Sequence, residues 1–364
     1  MQSPLSTSEQ VSLAMRSLYQ SYGYRQYKVS KFEEYDFYAQ NKNFLSSDQI
    51  LSFVDTNGRL MALKPDITLS IIKNTRDDER TRKLWYTENV YRVPRGGYGF
   101  SEIVQTGLEC LGSVDLYTTA EVLMLAAESL KAVGCGYVLN LSHMGILTGF
   151  AGNLDIPEET AVRIRRCFSE KNRHALAAVC AEAGLSSEVT ELFTELCTLA
   201  GPAETVLDRL FALDLPGSCK DAAAELQAVC RALNAFGDYP VCIDLSITDD
   251  TDYYNGVLFH GYIDGVAQAV LSGGRYDQLM NRLGKKGSAI GFAVYISELE
   301  LLLAERNEFD VDAVLCYPEG ADPAAVAEKA KQIAASGRTV RVQSETDPAV
   351  SCRTLVRFGE EARP

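Results

Sequence analysis

The sequence predicts an α+β fold: a strand-rich core flanked by helices, interrupted by a helical insertion and followed by a small C-terminal β-α-β unit. Three observations predict it. Strand-like runs cluster in two blocks, near residues 53–111 and 241–271. Between them, residues 155–236 are rich in Ala, Leu and Glu with helical periodicity. After Asn307 the pattern changes to a strand, a helix and a strand. The implied organisation is a core over residues 1–308, with its insertion at about 155–236, and a unit over 309–364 that is small for an independent domain.

The elements follow in order. Residues 8–23 read as an amphipathic helix, with Val11, Leu13, Ala14, Leu18 and Tyr19 at helical spacing and Gly23 as its stop. Phe53–Asp55 and Arg59–Leu63 flank Thr56-Asn57-Gly58, the signature of a hairpin. Asp66 to Asn74 opens as a helix, with Pro65 and Asp66 at its start. Lys83–Arg92 reads as a strand, Pro94–Gly99 as a mobile glycine loop, and Glu102–Leu111 as a second strand. Thr118–Val133 is helical. Strands return at Val241–Leu245, Gly256–Tyr262 and Val266–Leu271, the last two joined by a turn at Asp264-Gly265. A helix from Glu298 to Glu305 ends the core. Beyond it, Val311–Leu315 and Thr339–Val342 are strands around a helix at Ala324–Ala335, with a short polar tail after them.

Composition narrows the function. Of 364 residues, 46% are hydrophobic and 23% charged, ordinary for a globular protein, and no apolar run approaches a membrane span. Met1 to Ser6 lacks the basic and apolar regions of a signal peptide, so a cytoplasmic setting is expected. The net charge of −14 argues against a polyanionic partner such as tRNA, whose binding leans on Lys and Arg. Ten scattered cysteines without a C-x-x-C pair read as buried free thiols. With three histidines and no paired spacing, no metal site and no cofactor are expected.

The chemistry-bearing residues form a series. Asp252-Tyr253-Tyr254-Asn255-Gly256-Val257 and Gly273-Gly274-Arg275-Tyr276-Asp277 combine aromatic rings, carboxylates and permissive glycines, a composition that suits a pocket for a small, ring-bearing amino acid. Such a ligand's ammonium needs a charge-assisted partner. Asp66 is the first candidate and Glu109 the second, while Thr68 can add a hydroxyl. Gln105 and Glu109 stand four apart on a strand and so share a face. Tyr254 and Tyr276 can offer hydroxyls and flat walls to the ligand's ring. On alternation, Tyr254 is assigned to the pocket and Tyr253 to packing or a peripheral contact. Gly273 and Gly274 are read as allowing backbone to approach the ligand, and Arg275 as pairing with Asp277. His143 and His260 are assigned structural roles.

Four segments in this order resemble the catalytic core of histidyl-tRNA synthetase. They are Leu63-Lys64-Pro65-Asp66-Ile67-Thr68; Tyr91-Arg92 through the glycine loop to Gln105-Thr106-Gly107-Leu108-Glu109; Asp252 to Gly256; and Gly273 to Asp277 followed by Ile290-Gly291-Phe292-Ala293. The series is still more similar to the synthetase's non-catalytic relatives, the regulatory subunits of ATP phosphoribosyltransferase, and covers roughly residues 5–305. The resemblance implies a class II aminoacyl-tRNA synthetase-like core, a mainly antiparallel sheet flanked by helices. It implies histidine as ligand and effector, held by Asp66, Thr68, Gln105, Glu109, Tyr254 and Tyr276. It also implies a homodimer within a hetero-oligomer, partnered by the short-form catalytic subunit. The C-terminal unit resembles a reduced anticodon-binding domain, which adds to the case against tRNA.

Adenylate formation places a triphosphate beside a carboxylate and needs cations. Against the synthetase pattern, the arginine expected before the Asp-Tyr-Tyr run aligns with Asp249, and the one closing the last motif aligns with Glu298. In the second motif Arg-x-Glu becomes Arg92-Val93-Pro94. Arg92 and Arg95 remain as candidate anion contacts. The expectation is a site without catalytic residues that senses histidine and regulates a partner. The alternative is an active synthetase, or synthetase-like ligase, with a rearranged site.

Overall fold

A computed structural model describes residues 5–45, 50–76, 80–93, 99–154, 156–248, 253–303 and 309–359. The chain divides into two compact units, residues 11–302 and a smaller one of residues 1–10 with 303–364.

The helix Thr7–Ser21 buries Val11, Met15 and Tyr19 at four-residue spacing. Gly23, at φ +82°, ends it in a conformation that side-chain-bearing residues rarely adopt. The strand β1 (Arg25–Gln26) joins the edge of a large sheet. A small antiparallel sheet follows, of β2 (Phe32–Glu34), β3 (Ser52–Val54) and β4 (Leu60–Leu63), with β4 central. The β3–β4 hairpin matches the predicted one: the Asp55 amide donates to the Arg59 carbonyl at 2.9 Å.

The large sheet continues with β5 (Arg82–Arg92) and β6 (Ser101–Gly112), paired over their full length. It is completed by β7 (Tyr137–His143), β8 (Ala200–Pro202), β9 (Val241–Asp244), β10 (Val257–Ile263), β11 (Leu271–Arg275) and β12 (Ser288–Tyr295). The order is β1-β5-β6-β12-β11-β10-β7-β9-β8, antiparallel throughout except β1 with β5 and β7 with β9. This is the α+β, mainly antiparallel architecture expected of the core.

The helix Leu116–Lys131 packs on one face of this sheet. Leu130 fills the space beside Gly261, while Tyr19 meets Phe292 edge-on at 5.9 Å and bonds Ser129 at 2.8 Å. Strand alternation puts His260 and Gly291, next to these residues, on the opposite face. The short helix Ile67–Asn74 and the aromatic residues Tyr38, Tyr253 and Tyr276 cluster there with Tyr86. Besides β8, the insertion holds the helices Glu158–Ser169, Arg173–Glu182, Ser187–Thr198, Ala203–Ala212 and Gly217–Asn234.

Three local readings are corrected. The strand expected at Val266–Leu271 lies at Leu271–Arg275. The Val266 amide closes a turn onto Ile263 at 3.1 Å, and the segment up to Val270 serves as the connection. Tyr253 and Tyr254 precede β10 rather than belong to it, so alternation does not separate them. The helix Met144–Ala151 was not anticipated.

In the smaller unit, β13 (Val311–Cys316), the helix Pro323–Ala335 and β14 (Val340–Gln343) form the predicted β-α-β. The tail read as polar adds a strand, β15 (Cys352–Arg357), so that β13 pairs in parallel on both sides. Ala313, Leu315, Val326 and Ile333 are its buried core.

All ten cysteines are free. Among the described residues no helix is long and apolar enough to cross a membrane.

Candidate functional site

The floor of the site is the sheet face opposite the Leu116–Lys131 helix. Residues two apart on a strand share a face, so register defines rows across it. Leu258, Gly274, Gly291 and Glu109 make one row over β10, β11, β12 and β6. His260, Ser272, Ala293, Gly107 and Tyr86 make the next, reaching β5. Tyr295, Gln105 and Glu88 make a third. The middle of this face therefore carries only Gly, Ser and Ala, and a depression opens between larger polar side chains.

That depression is a cavity of about 110 Å³. Its walls include Asp66, Thr68, Gln105, Glu109, Tyr254 and Tyr276, the six residues singled out in the sequence, together with Arg92. Arg95 lies outside the described residues, and so does Asp249.

Asp66 and Thr68 arrive at the start of the Ile67–Asn74 helix. Asp66 caps it, one carboxylate oxygen accepting from the Leu69 amide at 2.7 Å. Just before it, Lys64 is fully buried and pairs with Glu88 at 3.0 Å. The Tyr91 amide donates to the Lys64 carbonyl at 2.9 Å, tying this helix start to the end of β5 that bears Arg92. Burial raises the Asp66 carboxyl above its ordinary range; the Leu69 amide and the Arg92 charge oppose that rise.

Glu109 is buried and doubly hydrogen-bonded. Thr68 Oγ1 donates to its Oε1 at 2.6 Å, and the Tyr276 hydroxyl donates to its Oε2. Burial nevertheless pushes this carboxyl up to about 8, with the nearby Asp66 charge adding to the rise. Burial likewise holds the Tyr86, Tyr253 and Tyr276 hydroxyls well above the usual phenol range. Space for these groups depends on two glycines. A Cβ at Gly291 would overlap Glu109 Oε2, and one at Gly107 would overlap the Phe292 carbonyl and crowd the Tyr86 hydroxyl.

One wall is aromatic. Tyr253 lies 4.6 Å from Tyr254, 5.7 Å from Tyr276 and 6.4 Å from Phe44, centroid to centroid. Tyr253, assigned to packing, thus belongs both to the core and to the pocket. The open space at Gly273 and Gly274 is taken by Phe259 and Phe292 and by Tyr254, so these glycines accommodate protein side chains rather than ligand. Arg275 pairs with Asp277 at 2.8 Å, as read. His143 is structural: its Nδ1 accepts from the Gly145 amide at 3.0 Å and its Nε2 faces Glu225 at 3.3 Å. His260, assigned the same role, also lines the cavity. With Tyr86, Ser272 and Tyr295 it forms the part of the site that sequence reasoning missed. The signal that finds these four is strand register against the glycines, which no local pattern reveals.

A larger cavity of about 650 Å³ adjoins the first and shares Arg92, His260, Ser272 and Tyr295 with it. Its other walls include Ser169 and Lys171 of the insertion, Asp244 at the end of β9, Ser246 just after it, and Glu298. Lys171 is paired with Asp244 at 2.8 Å. Among the described residues lining the two cavities, Arg92 and Lys171 are the cationic side chains, and Lys171 already faces a carboxylate.

The family described as histidyl-tRNA synthetase matches residues 4–299. The ATP phosphoribosyltransferase regulatory subunit of Desulfitobacterium hafniense (strain DSM 10664 / DCB-2) is 30% identical over 302 residues, 81% of this chain and 77% of that protein. The crystal structure of an ATP phosphoribosyltransferase regulatory subunit/histidyl-tRNA synthetase from Bacillus halodurans is similar with a TM-score of 0.79 at 25% identity, covering 96% of this chain and 93% of that one. A chain in the ATP phosphoribosyl transferase (HisG:HisZ) complex from Thermotoga maritima shares the fold, with a TM-score of 0.61 at 19% identity, over 78% of this chain and 96% of that one.

Proposed function

The chain belongs to the histidyl-tRNA synthetase family, in the branch of ATP phosphoribosyltransferase regulatory subunits, and from that premise we propose that it senses histidine without activating it. It assembles with a short-form catalytic subunit, is required for the first step of histidine biosynthesis, and transmits feedback inhibition by histidine. Its own core pairs as a homodimer within that hetero-oligomer.

The observation that supports this reading most is the pairing of a kept pocket with a cation-poor neighbour. Asp66, Gln105 and Glu109 line a cavity of amino-acid dimensions. Glu298 lines the adjoining cavity, where the resemblance places an arginine. A carboxylate facing a phosphate at about 4 Å costs on the order of 4 kcal/mol at an effective dielectric of about 20. Such a penalty, set where a synthetase needs attraction, disfavours adenylate formation. Regulation then requires that histidine bind the inhibited assembly better than the active one, a coupling of typically about 1–3 kcal/mol.

Reconstitution with a short-form catalytic subunit tests the proposal. Phosphoribosyl transfer to ATP should depend on this chain and fall on addition of histidine. Histidine-dependent exchange of pyrophosphate into ATP by the chain alone would overturn it.

A further inference from the structure

We infer that His260 orients the ligand: together with Arg92 it takes the carboxylate of the bound amino acid, at the opening between the small pocket and the larger cavity. This deepens the histidine reading and rests on it.

The two cavities meet along a continuous polar rim. The Arg92 guanidinium lies over the Tyr295 ring at 5.9 Å, the Tyr295 hydroxyl bonds Ser272 Oγ at 2.6 Å, and Ser272 stands opposite His260 across β11 and β10. All four residues border both cavities. Glu109 is set apart from His260. Glu109 sits on β6 and His260 on β10, three strand spacings apart, or roughly 14 Å between backbones. That separation leaves room for two facing side chains and one amino acid between them. Glu109, fixed by Thr68 and Tyr276, faces the interior end with Asp66.

Asp66 and the proton-bearing Glu109 carboxyl thus stand at one end of the pocket and His260 at the other. A zwitterionic amino acid fits it with its ammonium toward Asp66 and its carboxylate toward the rim. An imidazole retains at least one N–H donor whether neutral or charged, so His260 can donate to a carboxylate in either state. Arg92 adds the charge. The bland role, ring packing against Tyr262 at 6.3 Å, predicts no preference for ligands bearing a carboxylate.

The test is calorimetric titration of the full chain with histidine and with histidinol, in which a hydroxymethyl group replaces the carboxylate. His260→Ala should weaken histidine roughly tenfold and leave histidinol within about twofold. His260→Gln, which keeps a donor, should restore most of the histidine affinity; if the alanine variant fails to fold by circular dichroism, the histidine-to-histidinol affinity ratio of the glutamine variant should stay near that of the wild type. Equal losses for both ligands, or no loss for either, overturn the assignment of His260 alone. A wild-type chain that binds neither ligand overturns the histidine reading and this assignment with it.

Discussion

Gly291 on β12 and Glu109 on β6 face each other across the sheet, and the missing side chain of the one is the space that the carboxylate of the other occupies. The Glu109 carboxylate can lie over the floor, between Thr68 and Tyr276, because nothing projects from Gly291.

Gly291→Ala should therefore displace Glu109 and break both of its hydrogen bonds. Overpacking of this kind costs about 1–3 kcal/mol. Urea denaturation should report that loss, and histidine titration a fall of more than tenfold. A variant with unchanged affinity would mean that Glu109 is not part of the binding surface.

Glu109 also sets a pH dependence. Its folded-state carboxyl is raised by burial to about 8 from an ordinary 4.5, so between those values the folded chain holds a proton that the unfolded chain has lost. Stability should accordingly fall as pH rises from about 4.5 to about 8, by on the order of a few kcal/mol from this group. Glu109→Gln cannot ionise and should show a flatter profile in denaturation at pH 5 and pH 8. Parallel profiles would contradict the buried, proton-holding role.

Tyr276→Phe removes the donor to Glu109 Oε2 and keeps the ring. The expected loss is about 1–2 kcal/mol, seen as a lowered Tm. An unchanged Tm would mean that Glu109 is satisfied elsewhere.

Asp66 does two jobs, and Asp66→Asn separates them. Asparagine caps a helix about as well as aspartate, so the Ile67–Asn74 helix and the overall stability should survive. The lost charge should still weaken histidine about tenfold or more. Equal affinity in the variant would reduce Asp66 to a cap.

Much of the architecture could be read from local patterns. Gly58 and Asp55 specify the β3–β4 hairpin, Asp66 and Pro65 the start of the short helix, and the period of residues 155–236 the inserted helices. The site was legible where a motif places chemistry on one element, as with Gln105 and Glu109 on β6. It was not legible where register decides. His260 and Tyr86 reach the pocket because Ser272, Ala293 and Gly107 lie between them in one row, a relationship between five separate strands. Tyr253 lies in the core, as assigned, and also lines the pocket, because alternation does not govern residues that precede the strand. β15 was missed because an exposed edge strand in a small sheet carries little hydrophobic pattern, its burial shared between Cys352 and Val356.

Isothermal titration of the purified chain with histidine at neutral pH tests the central claim most directly. Saturable binding of one histidine per chain, weakened by Asp66→Asn, is the predicted result. No saturable heat with the wild-type chain would contradict the reading of this pocket as a histidine sensor.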